Sequence, residues 1–225
     1  MSGRLRILSA NLWNGRADPD AFARVVESLR PDVVAVQELA PEHAEALARM
    51  MPHGALAPAR DHRGMGLALR RPGVVRRVAL PYRDAHVVDV PLGDEVVEVL
   101  NVHILAPHAQ PPWWMWRVRC GQVRALAAYL DAAPRRHRVV VGDLNATPLW
   151  PAYRRLTARL TDGAVEAARQ NGHRPQPTWS PWPGAARLLR IDHILVSGLA
   201  VHDVRVVPVA GSDHSAVVAD VSATS

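Results

Sequence analysis

The 225-residue chain reads as an α/β protein in which two β-sheets pack together and carry helices on their outer faces. Three observations lead there. Short apolar runs of β-like composition recur along the whole chain, and helical periodicity interrupts them at only a few places. Between residues 67 and 104 four such runs follow one another with no helix between them, which departs from a simple βαβ repeat. Each half of the chain holds both strands and helices, and no linker, low-complexity tract or short repeat divides it, so one domain over residues 1–225 is expected.

Residues 4–10 alternate as a strand and enter the loop Asn11-Leu12-Trp13-Asn14-Gly15. Residues 18–29 place Phe22, Val25, Val26 and Leu29 at helical spacing behind Asp18, a good N-cap. Pro31 resets the chain, and residues 33–36 form a buried strand that delivers Gln37 and Glu38 at its end. Pro41 opens a second helix through Met50. Residues 67–69, 74–80, 85–90 and 96–104 are strands separated by Gly, Pro and charged turns. A helix follows from Trp113 to Leu130, with Val118, Val123, Leu126, Ala127 and Leu130 as its core stripe. Residues 139–141 are another buried strand, ending at Gly142-Asp143-Leu144-Asn145. Residues 171–189, rich in Pro, Trp and Gly, form a long loop of the kind that often carries function. Residues 191–196, 201–207 and 216–221 complete the strands.

Composition narrows the classes. Ordinary apolar content and modest charge are those of a soluble globular protein. No secretion signal is read at the start and no apolar run approaches the roughly 20 residues of a membrane helix, so the cytoplasm is the expected compartment. A single cysteine, Cys120, excludes an internal disulfide framework and a Cys-rich zinc site. Every basic residue is Arg, and the net charge of +6 would draw a polyanion toward the surface.

The chemistry concentrates in Ser212-Asp213-His214, just before the last strand, and in Glu38, Asp143, Asn145, Asp192 and His193 at or near other strand ends. Acids, amides and imidazoles without a nucleophilic Ser or Cys point to a bound hard cation and an activated water. These segments carry a resemblance. Asn11 after the first strand, VVAVQEL with Glu38, NVHIL with His103, VVVGDLNATP with Asp143 and Asn145, RIDHILVS with Asp192, and GSDHSAVVADV with Asp213 and His214 resemble, in order, the motifs of the endonuclease/exonuclease/phosphatase superfamily. The resemblance spans residues 6–221. It implies a DNase I-like, four-layer αββα sandwich and metal-dependent cleavage of phosphate esters.

The roles follow from chemistry beside that resemblance. Glu38 offers a hard oxygen to Mg²⁺ or Mn²⁺. Asp143 is similar to the family's water-orienting acid, and Asn145 would donate its amide to the phosphate as negative charge builds. His214 resembles the phosphate-contacting histidine, with Asp192 as the acid that orients it and holds it as imidazolium. Asp213 resembles the acid that assists the metal or its water shell. Asn11 would orient a ligand or contact phosphate, and His103 occupies the place near the leaving group. Two departures stand out: Trp13 replaces a second metal-binding acid found in some relatives, and residues 64–71 hold no acid to pair with His103.

For substrate, Trp113, Trp114 and Trp116 interleave with Arg117 and Arg119, and Trp179 and Trp182 flank Pro181. Aromatics beside Arg can stack bases and hold phosphates, meet a lipid interface, or cap a helix. Trp113, Arg119 and Trp179 are therefore candidate substrate contacts. A nuclease acting on DNA or RNA is the favoured reading. A phosphatase or phospholipid phosphodiesterase with the same metal centre, and a non-catalytic binding module, are the alternatives.

Overall fold

The computed structural model describes residues 3–108, 110–132 and 137–224. The elements run β1 (Leu5–Asn11), α1 (Pro19–Leu29), β2 (Val33–Gln37), α2 (Pro41–Met50), β3 (His53–Ala57), β4 (Met65–Leu69), β5 (Val75–Val78), β6 (Ala85–Leu92) and β7 (Glu95–His103). They continue through α3 (Pro112–Ala132), β8 (Arg138–Asp143), α4 (Pro151–Thr157), β9 (Thr161–Asp162), α5 (Gly163–Asn171), β10 (Asp192–Ser197), β11 (Leu199–Pro208) and β12 (Ser215–Ala223). The strands form two six-stranded sheets, ordered β11-β12-β1-β2-β4-β3 and β5-β6-β7-β8-β10-β9. Each sheet is built around one parallel pair, β1–β2 or β7–β8, whose crossover is a helix, and antiparallel strands extend it on both sides.

Period-two alternation sorts the side chains into layers. Ile7, Val33, Ala35 and Leu67 from the first sheet meet Val88, Val99, Val141 and Ile194 from the second in the central core. The opposite face of the first sheet, with Leu8, Val34 and Val36, packs against Phe22 and Val26 of α1 and Leu47 of α2. The opposite face of the second, with Leu100, Val102 and Val140, packs against Val123 and Leu126 of α3 and Leu156 of α4. Helix, sheet, sheet and helix give the four expected layers. Among the described residues no helix is long and apolar enough to cross a membrane.

Three local signals act as read. Asp18 caps α1, its carboxylate accepting from Ala21 N at 2.8 Å. The loop between α5 and β10 has no regular element beyond isolated bridges of Trp179 to Leu189 and to His214. Helix α3 runs a residue or two past both expected ends. The sequence reading missed β3, β9, α4 and α5. Strand β3 is a partly exposed edge of small residues, β9 has two residues, and α4 and α5 are short helices of seven and nine residues. None has a long apolar stripe, so periodicity is silent there.

One buried ion cluster ties the second sheet to α3. Glu98 is 1% exposed. It accepts from Arg76 at 2.6 Å, from Tyr129 Oη at 2.7 Å and from Arg138 Nε. Burial works against its charge, but these three donors outweigh burial and hold the carboxyl below its usual range. Glu98→Gln should lower stability by about 3 kcal/mol, because it removes the buried carboxylate that pairs with Arg138 and Arg76. A group with a depressed folded pKa stabilises above its unfolded value and loses that contribution as pH falls through the folded one. Urea titrations of both proteins should therefore show a full gap at neutral pH that closes below the ordinary glutamate range.

Candidate active site

Strand ends from both sheets meet at one pole of the sandwich. Parallel register sets Asn11 beside Gln37 in the first sheet and His103 beside Asp143 in the second. Antiparallel β10 sets Asp192 on the other side of Asp143. Strand β12 runs antiparallel to β1, so its entry, preceded by Asp213 and His214, lies at the end of β1. Ser212 fastens that junction: its hydroxyl donates to Asn11 O at 2.9 Å and accepts from His214 N at 3.0 Å.

Close backbone approach fixes the centre. Gly142 has φ +132°, and a Cβ there would lie 1.9 Å from Val102 O of the neighbouring strand. Only glycine permits β7 and β8 to stay paired up to Asp143. Glu38 (φ 55°) and Asn145 (φ 47°) occupy the left-handed region without being glycine, at a cost of about 1–3 kcal/mol each. Hydrogen bonds hold both. Glu38 Oε2 accepts from Asn14 N at 2.6 Å and Oε1 from Asn11 Nδ2 at 3.1 Å. Asn145 N donates to Asp143 Oδ1 at 2.7 Å.

Asp143 is the hub. Its Oδ2 accepts from Asn11 Nδ2 at 3.1 Å and Asn145 Nδ2 at 2.8 Å, and lies 3.6 Å from His103 Nε2 and 3.9 Å from His214 Nε2. Burial, and then the charge of Asp192, push its carboxyl up to about 7. His214 Nδ1 donates to Asp192 Oδ2 at 2.9 Å. Burial alone would lower the imidazole, but Asp192, with Asp143 and Asp213 behind it, raises it to about 10. Asp192 is held low: burial opposes its charge, and His214 together with the Thr178 hydroxyl at 2.6 Å outweighs burial. His103 goes the other way. Burial and the nearby Arg83 guanidinium keep it well below the usual histidine range, hence neutral.

Asp143, Asp192 and His214 bring ligand atoms within 4.8 Å of one another. These three could hold a cation, which would compete with the His214–Asp192 hydrogen bond for its ligand atoms. Two further carboxylates, Glu38 and Asp213, line the same pocket. Glu38 faces the pocket, and buried Asp213 Oδ1 has no hydrogen-bond partner while its Oδ2 accepts from Trp179 Nε1 at 3.1 Å. Four carboxylates face one imidazolium here, a donor set whose excess charge suits a hard divalent ion.

The structure brings Asn11, Glu38, His103, Asp143, Asn145, Asp192, Asp213 and His214 together, and Trp179 lines their pocket of about 600 Å³. It does not bring Trp113 or Arg119 into it. Trp113 is 66% exposed, because one residue of helix rotation gives the pocket to Trp114 instead. Arg119 is buried beneath the site, donating to the carbonyls of Leu105 and Asn145, so it braces the catalytic loops. In this conformation Asn145 turns its amide inward to Ile104 O at 3.0 Å and to Asp143. His193 also braces: its Nε2 donates to Ala146 O at 2.8 Å. Sequence reasoning missed Thr178, Arg83, His62 and Tyr82, the last three of which line the pocket. Only the Thr178-Trp179 position inside the long loop offered a signal.

The fold is that of the DNase I-like sandwiches. The sequence profile of the Endonuclease/Exonuclease/phosphatase family matches residues 8–214, and the chain belongs to this family, whose members are metal-dependent phosphoesterases. Solved structures agree on the fold. Humanized D. rerio TDP2 carrying 14 mutations is 17% identical with a TM-score of 0.76, covering 97% of this chain and 98% of its own. A functionally unknown conserved protein from Enterococcus faecalis V583 is 15% identical with a TM-score of 0.74, covering 98% and 100%. The endonuclease/exonuclease/phosphatase from Bacteroides vulgatus is 16% identical with a TM-score of 0.71, covering 98% and 99%. No curated protein matches the chain.

Because Asp192 is the main charge that keeps His214 protonated, Asp192→Asn should move the His214 titration down from about 10. An NMR titration of the imidazole that left it unmoved would sink this pairing.

Proposed function

We propose that this protein is a nuclease that hydrolyses phosphodiester bonds of DNA or RNA with an attacking water, in the presence of Mg²⁺ or Mn²⁺. Arg83 is the observation that carries a phosphate substrate. Its side chain is buried, its Nη1 donates to His103 O at 3.2 Å, and its Nε has no partner. Among the described residues no carboxylate pairs with it, although it lines a pocket full of them. A buried guanidinium that feels Glu38 and Asp143 across the pocket but is clamped by neither keeps its N–H groups for an anion that arrives from solution. The pocket walls include Trp13, Tyr82, Trp114, Trp150 and Trp179, surfaces on which nucleobases stack.

The roles divide by charge. Arg83 and the His214 imidazolium face the phosphate oxygens and offset the charge that grows as water oxygen bonds to phosphorus. Asp143, poised near neutrality, aligns the attacking water and accepts its proton. Asn11 and Asn145 hold the Asp143 carboxylate in place. Glu38, with Asp213, would hold the divalent ion, which supplies Lewis-acid polarisation of the phosphate. Neutral His103 lies within 4 Å of Glu38 and Asp143 and fills the place beside the leaving oxygen. A phospholipid phosphodiesterase is the second reading, favoured by Trp182 and Leu188, which stand 63% and 62% exposed on the loop that carries Trp179.

Hydrolysis of linear and circular DNA beside bis-p-nitrophenyl phosphate, with Mg²⁺, Mn²⁺ and EDTA, tests the reading. Asp143→Ala and His214→Ala should each cut turnover by about 10²–10⁴-fold, and near-normal rates would remove their roles. Glu38→Gln should shift the Mg²⁺ titration to higher concentration. Arg83→Gln should raise KM for DNA about 10-fold or more, the loss of a charge-assisted contact. Activity confined to the small diester would turn the substrate search away from nucleic acid.

A further inference from the structure

Large apolar side chains stand in water on one face beside the catalytic pocket: Trp113 at 66%, Trp116 at 56% and Leu149 at 78% exposure. Helix α3 places Trp113, Trp116, Arg117, Cys120 and Arg124 within about 100° of its circumference, since they fall at i, i+3, i+4, i+7 and i+11. The stripe is thus aromatic and cationic together. Between it and α4 runs a groove of about 320 Å³, with Trp116 and Trp150 as walls and Val123, Pro151 and Ala152 among its lining. Its only charged lining residues are Arg119, Arg124 and Arg155. Among the described residues no carboxylate comes within 4.0 Å of the Arg117, Arg124 or Arg155 guanidinium, although Asp131 feels the charge of Arg155.

We propose that this face docks the protein on an anionic phospholipid surface. Tryptophan is favoured at the level of lipid headgroups, where its ring is buried and its N–H stays wet. Leu149 gives a nucleobase no stacking plane, but it gains by entering the acyl boundary. The apolar groove accepts an acyl chain, and the exposed Arg124 and Arg155 at its edge, with Arg117 on the stripe, meet headgroup phosphates, the pairing that a basic amphipathic face makes with anionic lipid. The net charge of +6 acts in the same direction over longer range. Attachment is peripheral. It also orients the enzyme: Trp114 follows Trp113 into the catalytic pocket and Trp150 walls both the groove and that pocket, so the pocket lies next to the docked face. The inference is independent of which phosphodiester is cleaved.

Co-sedimentation of the full chain with vesicles of phosphatidylcholine alone, or of equimolar phosphatidylcholine and phosphatidylglycerol, tests it. The wild type should bind the anionic vesicles, bind the neutral ones weakly, and release as salt rises. Arg124→Gln and Arg155→Gln should weaken binding about fivefold each, and Trp116→Ser with Leu149→Gln should weaken it further. Unchanged thermal unfolding serves as the control, since these side chains are exposed. No binding to anionic vesicles at low salt overturns the proposal. So does binding that all these variants retain, or single-stranded DNA held by the same residues in place of lipid.

Discussion

Everything at the pole where the strand ends meet is arranged around an excess of buried negative charge. Glu38, Asp143, Asp192 and Asp213 converge there largely buried, and the protein sets against them the His214 imidazolium and guanidinium groups, Arg83 and Arg187 among them, that none of these carboxylates clamps. Charges so placed cannot all ionise without compensation. Part of the compensation is built in, as Asp192 keeps His214 protonated. The remainder is left to what binds there. The raised carboxyl of Asp143 and the raised Asp213 carboxyl, pushed up first by burial, are two expressions of that shortfall.

Such a cluster needs a frame that does not yield. Gln37 and Asn101, both fully buried, join the two sheets just below the pole, with Gln37 Nε2 donating to Asn101 Oδ1 at 2.6 Å. The Asn101 amide in turn donates to Val36 O at 3.0 Å and Gly66 O at 2.8 Å, so one side chain of the second sheet satisfies two strands of the first. In a core otherwise aliphatic, this bridge fixes the register of one sheet on the other, because any slip would leave buried amides unpaired. Arg119 and His193 do the same for the loops above.

Much of this was legible in the chain. Strand ends, the Asp18 cap and the central apolar runs follow from period and turn chemistry, and the motif order led to the layered architecture. The residues that line the pocket from strand ends, such as Glu38 and Asp143, are legible because short motifs carry them. Arg83 is not, because nothing in Pro81-Tyr82-Arg83-Asp84 separates a guanidinium aimed inward from one in solvent. Trp113 and Arg119 were read as substrate contacts from composition alone. Which face of α3 meets the pocket is decided by a 100° step per residue and by the packing of Leu126 and Leu130, and neither is visible in a cluster of aromatic and basic letters.

The pairing of β1 with β12 joins residues near position 5 to residues near position 221. During synthesis, β1 must therefore wait with an open edge until the residues around position 221 have emerged, the kind of long-range closure that slows folding and exposes strands to wrong partners. The strand that finally closes that edge brings Asp213 and His214 with it. Completion of the first sheet and completion of the cluster are one event, so a chain that stops short of residue 213 holds Glu38, Asp143 and Asp192 without the imidazole of His214.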